Sequence, residues 1–132
     1  MHSGLGKYMN RLLLDTSVII RMLDGRISPH SLTLFRDASI AAVSHVTLWE
    51  MAIKSSIGKL SLTLEGLDVR LARQGFELLP IKVEHILKVH QLPLLHRDPF
   101  DRMLIAQAKS QGLTLVTSDR IFADYDVATI SA

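Results

Sequence analysis

The sequence predicts an α/β fold, a three-layer sandwich with a central parallel sheet of four to five strands flanked by helices. Two observations carry this. Short continuous apolar runs alternate along the chain with segments of helical spacing, and strands buried on both faces read as such runs in parallel sheets. The 132 residues also amount to one domain's length, with no linker, repeat or low-complexity tract to divide them.

Arg11 to Leu14 (RLLL) is the first apolar run and ends at Asp15; Thr16 to Leu23 follows with helical spacing behind residues able to cap it. A second helix is expected around Ser28 to Phe35, with Pro29 in its first turn, and then a buried strand over Ser39 to Val43. Ser44 opens a longer helix toward Ile57, stopped by Gly58. The pattern then predicts a helix over Leu62 to Arg73, a strand over Phe76 to Ile81, and a helix over Lys82 to Gln91 that places Val83, Ile86, Leu87 and His90 on one face before Pro93. Pro99 to Gln111 is the clearest helix. Gly112 closes it, Leu113 to Thr117 reads as a strand, and a last strand is expected near Asp126 to Ile130. Met1 to Tyr8 (MHSGLGKY) has no apolar core of a secretory signal and is read as a disordered leader or remnant (residues 1–8), with the folded domain over residues 9–132.

Composition excludes several functions. Hydrophobic residues make up 48% and charged residues 21%, with a mean hydropathy of +0.24, so the signature of disorder is missing. The apolar stretches fall short of the roughly 20 residues that span a bilayer. With no cysteine there is neither disulfide nor thiol chemistry, which fits a reducing cytoplasm. G-x-G-x-x-G, Walker A and G-x-S-x-G patterns are all absent. The net charge of +2 is too mild to announce a nucleic-acid binder.

The acidic residues are more informative. Ligands of open parallel sheets bind beyond the carboxyl ends of the strands, where Asp15 and Asp119 stand. Asp98 and Asp101 share a face at a helix start, and Glu50 borders an apolar stripe on its own helix. Each has a plainer reading. Asp98 before Pro99 is a good N-cap, Asp15 and Asp119 suit turns or caps, and Glu50 can pair with Lys54 four residues on. Four separate segments converging on one edge is more than capping requires. Gathered carboxylates either hold a proton at a raised pKa or bind a hard cation such as Mg²⁺ or Mn²⁺, which suits phosphate substrates. Setting these five acids aside leaves eight acidic against fifteen basic residues, a formal +7 available to a polyanion through residues such as Arg21, Arg26, Lys54, Arg97, Arg102 and Arg120.

Other groups carry less. The six histidines include no H-x-x-x-H pair, so a histidine metal site is not expected, and His96 reads as a solvated loop residue that could meet substrate. Leu60, Leu62, Leu64, Leu67 and Leu71 read as core. Trp49 reads as packing rather than base stacking, because one tryptophan among 5% aromatics makes a poor stacking platform.

From about Met9 to Ile130 the chain resembles the PIN-domain nucleases, and within them the VapC-type toxins of toxin–antitoxin pairs. The carriers are LLLDTSVII at Leu12 to Ile20, SHVTLWEMAIK at Ser44 to Lys54, HRDPFDRMLIAQA at His96 to Ala108 and LVTSD at Leu115 to Asp119. The resemblance implies a PIN-like sandwich with an acidic Mg²⁺ or Mn²⁺ pocket, in which Asp15, Glu50, Asp101 and Asp119 match the four family acids. It adds Asp98 as a further acid, Thr117 as a supporting hydroxyl and Ser17 as a weaker match. It also implies metal-dependent endoribonuclease activity in the cytoplasm, homodimerisation and a cognate VapB-type antitoxin, with Arg97 and Arg102 as candidate RNA contacts. Two readings compete: an inactive RNA- or partner-binding module that keeps the acids for stability, and a small-molecule phosphohydrolase. The latter would want D-x-D after the first strand, where Ser17 stands instead.

Overall fold

The computed structural model describes residues 10–132; the reading of Met1 to Tyr8 as a leader lies outside them. Five strands, β1 (Arg11–Leu14), β2 (Ile40–Ser44), β3 (Glu77–Leu79), β4 (Thr114–Val116) and β5 (Thr129–Ile130), form one sheet in the order β3-β2-β1-β4-β5. Every neighbouring pair is parallel. Six α-helices connect them: α1 (Thr16–Leu23), α2 (Pro29–Asp37), α3 (His45–Ser56), α4 (Leu67–Arg73), α5 (Val83–Gln91) and α6 (Pro99–Gln111). A 3₁₀ turn covers Arg120–Asp124.

Side chains alternate across the strands, which splits the core in two. Leu13, Ala42 and Leu115 pack with Leu104, Ile105 and Phe122 on the side of α6. Leu12, Leu14, Ala41, Val43 and Val116 pack with Val18, Ile19, Phe35, Leu67 and Leu71 of α1, α2 and α4. Helix α3 contributes Val46 to the first cluster and Met51 to the second. It therefore spans the edge of the sheet, and Glu50 lies on the stretch between the two cores.

Strand order places the ligand crevice. From β1 the chain runs outward to β2 and β3, while β4 and β5 lie on the other side of β1, so the order reverses between β1 and β4. Open parallel sheets bind ligands at such a reversal, beyond the carboxyl ends. Asp15 follows β1 directly; Thr117 and Asp119 follow β4.

Two expectations need correction, and one face of a helix lies on an unforeseen side. The helix expected over Leu62 to Arg73 begins only at Leu67, because Gly66 adopts a left-handed φ of 72° just before it; Leu60, Leu62 and Leu64 pack on the core in non-helical chain instead. Strands β3, β4 and β5 are shorter than the apolar runs that foretold them. The apolar face of α5 points outward: Val83 is 71% exposed, Ile86 53% and Leu87 59%. The inward side carries Val89, packed on the α6-side core, and a polar contact. His85 is fully buried, its Nδ1 accepts from the Lys82 amide at 3.0 Å, and the amide Nε2 of buried Gln107 lies 3.3 Å away. Burial lowers the His85 pKa, which keeps the ring neutral and suited to accept those hydrogen bonds.

Candidate active site

A pocket of about 210 Å³ opens at the carboxyl edge, lined by Asp15, Thr16, Ser17, Glu50, Lys54, Asp98, Asp101, Asp119 and Phe122. All five acids singled out in the sequence therefore meet in one cavity. They arrive from a strand end, the α3 helix, the start of α6 and the turn after β4.

Three of these acids are helix caps as well as pocket residues. Asp15 caps α1, its Oδ1 accepting from the Val18 amide at 2.9 Å and from the Ser17 hydroxyl at 2.8 Å. Asp98 caps α6, its Oδ1 accepting from the Phe100 amide at 2.8 Å and the Asp101 amide at 3.2 Å. Asp119 caps the 3₁₀ turn through Oδ1 and the Ile121 amide at 3.0 Å. In each case the cap occupies one carboxylate oxygen. Helix N-termini carry partial positive charge, so three of them aimed at one pocket offset part of the repulsion among its acids.

Asp15 is buried, and its second oxygen receives a hydrogen bond from the Thr117 hydroxyl. Thr117 Oγ1 in turn accepts from the Asp119 amide at 2.9 Å, linking the ends of β1 and β4 through one side chain. Ser17 and Thr117 thus both touch Asp15. On α3, the Glu50 Oε2 is 3.0 Å from the ammonium of Lys54, while its buried Oε1 has no hydrogen-bond partner among the described residues. A buried carboxylate oxygen left unpaired is costly unless something else satisfies it.

His96 is not the solvated loop residue that the sequence suggests: its Nε2 lies 2.9 Å from Asp101 Oδ2. Candidate ligand atoms of His96, Asp98 and Asp101 fall within 4.8 Å of one another. Asp15, Glu50 and Asp119 line the same pocket outside that tight group. The available signal was spacing: a histidine two residues ahead of an N-cap can fold back onto the first turn.

Burial pushes Asp101 up to about 6, with Asp98 and Glu50 adding to the rise and His96 opposing it. Between the ordinary value of 3.8 and about 6 the folded chain holds a proton that the unfolded chain has released. This group's contribution to stability is therefore present at low pH and lost as pH rises through about 6. In a chelating buffer, Asp101→Asn should melt higher than the wild type at about pH 7.5, and the gap should narrow by about half toward about pH 5. Melting curves at both values check this; a gap independent of pH refutes the perturbation.

Arg97 and Arg102 do not line the acidic pocket. Arg102 is anchored within the fold, donating to the carbonyls of Pro93 at 2.9 Å, Val89 at 3.1 Å and His96 at 3.4 Å, and so holds the loop before α6 in place. Arg97 is exposed and makes no hydrogen bond or ion pair among the described residues.

The sheet order and the acids at its reversal define an α/β protein with a carboxylate pocket beyond the strand ends. Residues 12–128 match the PIN domain family, and the chain belongs to it. No curated protein matches it. Among solved structures it is similar to VapBC2 from Rickettsia felis bound to a DNA fragment from their promoter, with a TM-score of 0.76, 18% identity, and 92% of this chain and 98% of that one covered. DNA-bound VapBC from Salmonella typhimurium gives 0.70 at 20% identity, covering 92% and 98%. FitAcB from Neisseria gonorrhoeae gives 0.68 at 22%, covering 90% and 96%. At these identities the likeness is one of fold.

Proposed function

We propose that this chain is a divalent-metal-dependent endoribonuclease and the toxin of a toxin–antitoxin pair. The observation that carries it is the convergence of five carboxylates on one small pocket, one of them with a buried, unpartnered oxygen at Glu50. An all-oxygen set with surplus negative charge fits a hard cation, Mg²⁺ or Mn²⁺, which keeps several waters and so does not need every acid in direct contact. Asp15, Asp101 and Asp119 would hold the ion, with Asp98 beside them and Glu50 as ligand or water orienter. Bound there, the ion would supply Lewis acidity, activating water for attack on phosphorus and offsetting charge on the phosphate.

The chain's own groups set up the rest. Thr117 and Ser17 fix the orientation of Asp15, the role that outer hydrogen-bonding partners play for ligating carboxylates. Lys54 pins Oε2 of Glu50 and so fixes the carboxylate at the pocket wall, where it would serve as ligand or water orienter. Asp101, its carboxyl pushed up to about 6 by burial, would release its proton to hold the ion.

The similar structures of VapBC and FitAB complexes support a cognate VapB-type antitoxin as partner, and we extend the reading to a homodimer working in the cytoplasm. No helix among the described residues is long and apolar enough to cross a membrane.

The test is cleavage of structured and unstructured RNAs by the purified protein with Mg²⁺ or Mn²⁺, in parallel with a chelator. Cutting is expected only with the metal. Equal cutting in the chelator, or a folded protein that cuts no RNA of a broad panel, overturns the reading.

A further inference from the structure

A second cavity, of about 370 Å³, is walled by Val46, Trp49, Ile81, Leu94, Met103 and Arg97. Its volume falls in the roughly 300–1,000 Å³ range of small-ligand sites. Three pairs of consecutive residues divide between the two cavities. Trp49, Arg97 and Arg102 line this one, and Glu50, Asp98 and Asp101 line the acidic one. Consecutive α-carbons stand about 3.8 Å apart, so the two cavities share a wall.

Trp49 is not buried as a packing residue would be. It remains 57% exposed, while an edge contact with Phe100, at 5.0 Å between ring centroids and 78° between planes, fixes the indole. Leu94, lining the same cavity, is 73% exposed. At the rim stands Arg97, a cation with no partner among the described residues. A held aromatic ring, apolar walls and a free guanidinium, all continuous with a phosphate-cutting pocket, match a nucleotide: a flat base with two apolar faces, tied to an anion.

Resting on the nuclease reading, we infer that this cavity receives the base of the nucleotide next to the scissile phosphate, stacked on Trp49, with Arg97 engaging an adjoining phosphate. One such cavity takes one base, so a low aromatic content is no obstacle. The site would favour single-stranded or unstacked RNA, because a base locked in a duplex cannot enter.

Trp49 is the chain's only tryptophan, so its emission reports on this cavity alone. The experiment titrates a short single-stranded RNA into the wild-type protein in a chelator, where it is not cut, following Trp49 fluorescence and the anisotropy of labelled RNA. Emission should be quenched as RNA binds, and not by the same strand carrying abasic residues. Trp49→Ala should weaken binding roughly 5- to 100-fold, and Trp49→Phe much less. Arg97→Met should weaken it for every sequence and lower the salt slope by about 1. Unchanged emission at saturation, Trp49→Ala binding as tightly as the wild type, or no binding by any RNA overturns the inference. If the metal-loaded protein cuts RNA while Trp49 stays silent, the base pocket falls and the nuclease stands; quenching without cleavage overturns the nuclease and the placement beside a scissile phosphate, and leaves Trp49 as a base-stacking contact only.

Discussion

Asp15→Asn is expected to remove at least about 10²-fold of RNA cleavage while leaving a folded protein, since loss of one charged ligand weakens both ion and transition-state charge. The geometry says why the fold survives. An asparagine oxygen can still accept from the Val18 amide and cap α1. Its amide would face the Thr117 hydroxyl, which has lone pairs enough to accept from it and from the Asp119 amide. What is lost is the negative charge. Cleavage assays alongside circular dichroism and a melting curve read both halves. Near-normal cleavage by the variant would strike Asp15 from the mechanism.

Phe122→Ala should destabilise the fold more than any substitution in the acidic pocket, by about 3–5 kcal/mol, the usual cost of truncating a buried aromatic side chain. Phe122 is 1% exposed, packs in the α6-side core and also lines the acidic pocket. The vacancy would therefore open beside the carboxylates, letting water reach Asp101 and relaxing its pKa toward the ordinary range. Denaturant unfolding should show a lower midpoint, and the pH-dependent gap in melting temperature between the Phe122→Ala protein and its Asp101→Asn derivative should shrink. A midpoint like that of the wild type would mean that Phe122 does not tie core to site.

Much of this site is legible in the sequence because it rests on local rules. Asp15, Asp98 and Asp119 stand where strands end and helices start, positions visible in the sequence. Capping and pocket-lining look like rival roles for them, but the structure shows the two to be compatible: a cap uses one oxygen of two. Glu50 is legible as a residue at the border of an apolar stripe, and α3 indeed bridges the two cores.

The rest depends on tertiary partners that periodicity does not report. The spacing of Val83, Ile86 and Leu87 identifies a face of α5 but not the side that the fold covers; the inner side holds Val89 and the contact of His85 with Gln107. His96 needs the course of the loop, which Arg102 helps to set. Leu62 and Leu64 alternate by two rather than at helical spacing, and the left-handed Gly66 separates them from α4.

The pairing of β4 with β1 has a consequence in time. Leu12, Leu13 and Leu14 lie beside Thr114, Leu115 and Val116, about a hundred residues downstream, so the centre of the sheet closes late. A chain still being synthesised holds Asp15 and Glu50 long before Asp119 exists to join them. No earlier fragment has the complete carboxylate set, and a chain cut short before β4 leaves β1 as an open edge. Whatever chemistry the assembled pocket supports, a growing chain cannot begin it until Asp119 has been added and β4 has paired with β1.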